Sequence, residues 1–247
     1  NQYFMKSEII AEIGSNWEGD LNIAKKIIKK CKQAGADGVK FQMWRAGDLY
    51  KKSHPDWKVI LKSELTFEKA KKLKDFSDKE RIEFFCSAFY PEAVTYLEKI
   101  KVKRYKIASR TCLFKDPRTF ETLKAIANTR KRVLISMGMG GNKQKIKKIL
   151  SKNDKIFCYC ISDYPLEFGK IDWISAKKYD GFSDHTMGIL APIVFSILKK
   201  QSRTKKIYIE KHVKLENSKG PDASTSIDVN QFKYMIKKIR LIESSKI

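Results

Sequence analysis

The sequence predicts a single-domain α/β protein, a (β/α)8 TIM barrel, on three observations. Short segments rich in Ile, Val and Phe alternate with helical patterns of about 10 to 15 residues from one end of the chain to the other, the sign of repeated βαβ units. Eight such pairs fit in 247 residues, close to the roughly 250 that a barrel of this kind occupies. Charged residues recur at alternate positions inside otherwise apolar strands, so each strand has one face for a helical layer and one for a filled interior. A doubly wound open sheet would use fewer units and a glycine-rich phosphate turn, and the sequence has no such turn. No low-complexity linker divides the chain; residues 1–4, ahead of Met5, are set aside as a leader, and residues 5–247 are assigned to the barrel.

The first strand, Glu8 to Ile13, puts Glu12 on the face opposite Ile9, Ala11 and Ile13. An amphipathic helix, Leu21 to Ala34, follows with its lysines toward water. In the second strand, Gly38 to Met43, Lys40 and Gln42 share a face while Val39, Phe41 and Met43 take the other. A loop carrying His54 leads to the helix Phe67 to Asp78. Glu83 to Ser87 with Ala93 to Ile100 is the third pair, and Arg104 to Ile107 with Arg118 to Asn128 the fourth, its Lys106 set between Tyr105 and Ile107. The fifth is Arg132 to Ser136 with Lys143 to Ser151, and the sixth Lys155 to Ile161 with Ile171 to Lys178. Gly181 to Asp184 with Ile189 to Lys200 is the seventh, followed by Lys206 to Lys211 with Asn230 to Ser244. His185 and His212 lie at the ends of these last two strands.

Apolar residues make up 42% of the chain, ample for a core. No run approaches the roughly 20 apolar residues of a bilayer span, and no signal-peptide pattern opens the chain, so a cytoplasmic protein with no membrane partner is expected. The cysteines, Cys31, Cys86, Cys112, Cys158 and Cys160, lack the spacing of a zinc knuckle or a disulfide framework and read as reduced, mostly buried thiols. A formal charge of +24 raises nucleic acid as a partner. The lysines, however, recur where every helix turns toward water, which reads as a solvated surface, and nucleic acid is not expected.

The inward residues carry the functional expectation. Ser183 and His185 share one strand face, as do Tyr208, Glu210 and His212, and parallel neighbours lie roughly 4.8 Å apart. Both imidazoles can therefore reach one ion. Glu12, Lys40, Lys106 and Glu210 aim at the same interior, and a lone buried charge is costly, so these groups pair with one another or serve a ligand. The plain alternative is an ion network that only fixes register. Ser136 and Ser162 have a plain alternative too, as caps of the helices that follow them.

Eight motifs occur in one order: Ala11-Glu12-Ile13-Gly14-Ser15-Asn16, Val39-Lys40-Phe41-Gln42, Tyr105-Lys106-Ile107-Ala108-Ser109, Ser136-Met137-Gly138-Met139, Tyr164-Pro165, Ser183-Asp184-His185-Thr186, Glu210-Lys211-His212 and Gly220-Pro221-Asp222. In order and spacing this set resembles the N-acetylneuraminate (sialic acid) synthase family, which includes the legionaminic and pseudaminic acid synthases, over nearly the whole chain. The resemblance implies a metal-dependent (β/α)8 enzyme that condenses phosphoenolpyruvate with an N-acyl hexosamine or related aldose, releasing phosphate. By position, His185 and His212 would hold the divalent ion, Mn2+ first and Mg2+ or Co2+ as alternatives. Lys40, Lys106, Ser109, Ser136, Ser162 and Ser183 would bind phosphoenolpyruvate. Glu12, Gln42, Tyr164 and Asp222 would line the sugar side or manage water and protons, with Glu12 first for the proton. Asp184, facing away from His185, would orient a ligand.

Three departures bear on the acceptor. Where typical members have Gly-Glu after the serine of the fourth-strand motif, this chain has Arg110 and Thr111. The resemblance therefore implies a lost carboxylate and an added Arg110 cation for a phosphorylated or acidic acceptor. Asn16-Trp17 stands in place of Asn-His, which places an indole on the sugar side. The sequence stops at Ile247, after its last helix, without the C-terminal antifreeze-like lid the resemblance implies, so the lid is expected on a separate chain or on a portion cut away, or the acceptor is smaller and different; a homodimer is the other expected partnership. A catalytically altered paralogue that binds phosphoenolpyruvate or a sugar acid beside a partner chain is the second functional reading.

Overall fold

Eight parallel strands pair in chain order and the eighth returns to the first, closing a barrel in the computed structural model, which describes residues 5–246. The leader 1–4 and Ile247 lie outside the described residues. The strands are β1 (Lys6–Glu12), β2 (Gly38–Met43), β3 (Glu83–Ala88), β4 (Arg104–Ile107), β5 (Arg132–Ser136), β6 (Lys155–Tyr159), β7 (Gly181–Asp184) and β8 (Lys206–Lys214). β8 runs past the expected Lys211 because His212 pairs with Glu12 of β1, which holds it inside the strand, and a short β9 (Ile227–Asp228) then pairs with Val213 and Lys214. β6 stops at Tyr159, two residues short of expectation, because its pairing with β7 covers only Cys158 and Tyr159.

The outer layer is α1 (Leu21–Ala34), α2 (Ala46–Leu49), α3 (Trp57–Lys62), α4 (Phe67–Lys79), α5 (Pro91–Lys99), α6 (Thr119–Thr129), α7 (Lys143–Ile149), α8 (Trp173–Ala176), α9 (Leu190–Gln201) and α10 (Val229–Ser244). Asp20 caps α1 through the amides of Asn22 and Ile23, and Gly35, at φ +97°, ends it. Ala24, Ile27, Ile28 and Cys31 make one buried stripe of α1 against the outward faces of the strands. α10 opens on a reciprocal cap between Asp228 and Gln231. α2 and α3 were not expected: at four and six residues they are too short for a helical period, and they close over Trp44, Ala46, Ile60 and Phe89. No helix among the described residues is long and apolar enough to cross a membrane.

The interior is layered. At the floor, Arg104 pairs with Glu8, bonds Glu83 at 3.0–3.1 Å and lies over the Phe85 ring at 4.6 Å. Above the floor, Ile10, Phe85, Leu134, Cys158 and Tyr208 form an apolar plug. The groups above the plug, at the carboxyl ends of the strands, are polar.

Candidate active site

Four strands bring four charges together over the plug. Lys40 on β2 contacts Glu12 on β1, and Gln42 Nε2 donates to the other oxygen of Glu12 at 2.7 Å. Lys106 on β4 donates to both oxygens of Glu210 on β8 at 2.8 and 2.9 Å, and Ser183 Oγ adds a bond at 2.8 Å. Lys40 also lies 3.8 Å from Glu210 and 3.3 Å from Ser87 Oγ. Each lysine is thus matched by a carboxylate, so the cluster is close to neutral before any ligand arrives. Burial pushes the Glu12 carboxyl up, and Lys40 does not fully offset it. Burial also opposes ionisation of Glu210, but Lys106 and Lys40 together hold it well below the usual carboxylate range.

This cluster floors a cavity of about 60 Å³ lined by Glu12, Lys40, Gln42, Lys106, Ser109 and Ser136 and roofed by Cys160, Tyr164, His185 and His212. Ser109 Oγ accepts the Gly138 amide at 3.0 Å. The hydroxyls of Ser136 and Ser162 are buried without a partner among the described residues. Neither caps a helix, because Asn142 caps α7 and Asp172 caps α8. Ser162 is not among the residues lining this cavity; its hydroxyl lies where a Cβ on Gly138 would meet it at 2.7 Å.

The two imidazoles come together as expected, ring centroids 5.4 Å apart and inclined at 52°. His185 Nδ1 lies 2.7 Å from the Ile161 carbonyl, so that nitrogen donates and Nε2 is left as the acceptor. His212 Nδ1 is buried with no partner, and burial pushes its imidazole down to about 3, which keeps the ring neutral. Burial also pushes His185 down, but Cys160 Sγ, 3.9 Å from Nδ1, and the Ile161 carbonyl reverse the direction to upward. No third His, Cys, Asp or Glu joins them in a three-ligand group among the described residues.

A wider cavity of about 350 Å³ opens above, lined by Gln42, Tyr50, Phe89, Arg110, Met139, Tyr164, His212 and Asp222. Arg110 is held there by a two-point bond to Asp116 at 2.7 and 2.8 Å. Asp222 Oδ2 accepts the amide and hydroxyl of Ser15, both at 2.7 Å, over Gly14.

Two expectations fail. Trp17 is 1% exposed and packs edge-on to Phe41 in the outer core, so its indole offers nothing to a sugar. Asp184 bonds Lys211 at 2.6 Å and the amide and hydroxyl of Thr186, all on the outward face of the strands, so it braces the loop after β7 instead of a ligand. Ser87, Cys160 and Tyr50 also line the site and were missed; Ser87 in β3 and Cys160 just past the end of β6 continue the inward period, two places after Phe85 and Cys158.

A parallel barrel with paired imidazoles over a lysine–carboxylate cluster at its carboxyl end defines a barrel enzyme. The family model described as the NeuB family matches residues 27–246; the chain belongs to that family and is a sialic acid synthase-like transferase. An uncharacterised protein of Methanocaldococcus jannaschii is 35% identical over 98% of the chain and 74% of its own length. The N,N'-diacetyllegionaminic acid synthase of Campylobacter jejuni is 31% identical over 97% of the chain and 77% of its length. Among solved structures, the N-acetylneuraminic acid (sialic acid) synthetase of Leptospira borgpetersenii superposes with a TM-score of 0.83 at 26% identity, over 96% of the chain and 83% of that protein.

Proposed function

We propose that the protein condenses phosphoenolpyruvate with an N-acyl hexosamine or a related aldose, giving a nonulosonic α-keto sugar acid and phosphate. The observation that carries this reading is a small inner cavity with two lysines and an unpartnered Ser136 hydroxyl, roofed by two imidazoles and opening into a larger chamber. The inner space suits the phosphate and carboxylate of phosphoenolpyruvate and the outer one suits a sugar. Lys40, Lys106, Ser109 and Ser136 bind the anion, and Ser183 acts through Glu210. Ser162 stands behind this group as a second source of a hydroxyl.

A carbon–carbon bond forms from the methylene carbon of phosphoenolpyruvate to the aldehyde carbon. Water then adds at the former enol carbon, and phosphate leaves with cleavage of its carbon–oxygen bond. Glu12, pushed up by burial and oriented by Gln42, takes the proton of that water. The orphaned His212 Nδ1 and the free Nε2 of His185 would hold a divalent ion, Mn2+ first with Mg2+ or Co2+ as alternatives. Such an ion would supply Lewis-acid polarisation of the aldehyde oxygen. Tyr164, Arg110 and Asp222 shape the acceptor chamber.

Incubation with Mn2+, phosphoenolpyruvate and a panel of hexosamines should release phosphate; no release with any acceptor would reject the proposal. Thr111, buried and lining neither cavity, favours a second reading as a paralogue that binds without turnover, and calorimetry showing phosphoenolpyruvate binding with no phosphate release would select it. Exposed Met139 and Tyr164 at the rim are what a second copy or a separate lid chain would cover, and sedimentation would show the former.

A further inference from the structure

Charge is unevenly distributed around the barrel, which lysine positions alone conceal. α4, α5 and α6 together carry seven basic and six acidic residues, so that stretch of the wall is nearly neutral. α1 and α10, packed side by side where the barrel closes, carry nine basic residues and one acidic residue. The carboxylates nearby are already committed: Glu243 to the Ser7 amide and Arg240, Asp37 to the Ile9 amide and Arg240, Asp20 and Asp228 to helix caps. Lys25, Lys26, Lys29, Lys30, Lys32, Lys233, Lys237 and Lys238 have no carboxylate within ion-pair range among the described residues.

Two apolar groups stand out among these lysines, Tyr234 at 52% exposure and Leu241 at 54%. α7 is also free of acids, but three of its four lysines, Lys143, Lys145 and Lys147, lie over aromatic rings of the chain itself, against Lys25 and Lys238 alone of the eight lysines on the α1–α10 wall among the described residues. We infer that the α1–α10 wall is a docking surface for an anionic lipid bilayer, on which the protein rests peripherally. The wall is the outside of a helical layer and so convex, suited to tangent contact with a flat surface. Its one arginine, Arg240, is turned inward onto Asp37, Glu243 and the Ser7 carbonyl, leaving lysine point charges without the two-point phosphate grip of a nucleic-acid face. Tyr and Leu among lysines are the groups that enter a headgroup region. Each lysine near an anionic surface adds roughly a fivefold gain in partition, fading with salt.

The test is co-sedimentation of the full chain with vesicles of phosphatidylglycerol in phosphatidylcholine, against pure phosphatidylcholine, at low and high salt. Two quadruple variants change net charge equally: Lys26→Glu, Lys29→Glu, Lys233→Glu and Lys237→Glu on the docking wall, and Lys71→Glu, Lys72→Glu, Lys79→Glu and Lys124→Glu on the neutral wall. The expected result is binding to the anionic vesicles only, released by salt, lost by at least about tenfold in the first variant and by far less in the second. Equal loss in both variants, no vesicle binding by the parent protein, or displacement from vesicles by a mass-equivalent of duplex DNA or RNA would each overturn it. Circular dichroism of both variants guards against a folding artefact, and Lys26→Gln with Lys233→Gln should show a smaller loss in the same direction.

Discussion

Lys106→Met tests whether the buried lysines are a ligand cradle or only a register device. Lys106 and Glu210 are 2% and 8% exposed at their side chains and joined at 2.8 Å. The substitution removes both charge-assisted bonds and leaves a carboxylate in the barrel. Breaking such a pair costs about 3–5 kcal/mol, and Glu210 keeps Ser183 at 2.8 Å and Lys40 at 3.8 Å. The lower end, about 3 kcal/mol, is therefore expected from urea unfolding, a large share of the roughly 5–15 kcal/mol of a domain. Adding Glu210→Leu removes the stranded charge and should restore most of that loss, since apolar replacement of a whole buried pair is often neutral. Phosphate release should not return, because the cradle has lost a cation. Release by the double variant at near parental rate would refute the cradle, and a cost under about 1 kcal/mol for Lys106→Met alone would refute the burial argument.

Three further outcomes are expected. His185→Ala and His212→Ala should each weaken Mn2+ binding by at least about tenfold, read by titration calorimetry with no substrate present and with unfolding midpoints close to the parent's. Glu8 is held below the usual carboxylate range: burial works against ionisation, but Arg104 and Lys206 outweigh it. A carboxyl lowered on folding contributes stability above its unfolded pKa and loses it as pH falls through the folded value. The parent should accordingly lose more stability than Glu8→Gln between about pH 5 and pH 3 in urea unfolding at each pH. Gly14→Ala at φ +52° would set a Cβ 2.3 Å from Asp222 Oδ2, so it should cost about 1–3 kcal/mol and raise the KM for the acceptor more than that for phosphoenolpyruvate.

Strand positions were legible because outward and inward faces alternate, and the same alternation aimed Glu12, Lys40, Lys106 and Glu210 at one another. Alternation shows direction, however, and not partnership. It could not show that the lysines are already matched by carboxylates, nor that Asp184 has Lys211 across the sheet, because both depend on register between strands, and for Lys106 and Glu210 on strands 104 residues apart that meet only across the closed barrel. Trp17 misled for a similar reason: a loop position has no face until the loop folds, and this one turns into the Phe41 layer. The cap reading of Ser136 and Ser162 fell to Asn142 and Asp172, each closer to the start of its helix.

The layering of the interior explains why the chemistry sits at one end. Arg104 closes the amino-terminal mouth with Glu8 and Glu83, and the plug from Ile10 to Tyr208 above it excludes water. Any ligand must therefore enter from the carboxyl ends, pass Tyr164 and the two imidazoles, and meet Lys40 and Lys106 last. The deeper space is the smaller of the two and carries both lysines, so it suits the anion, while the wider chamber above it suits the sugar. Under the proposed function this geometry predicts an order of entry: phosphoenolpyruvate binds first and the acceptor closes over it. Initial-rate and product-inhibition kinetics should then show an ordered mechanism with phosphoenolpyruvate leading, and a random order of addition would contradict the stacking of the two cavities.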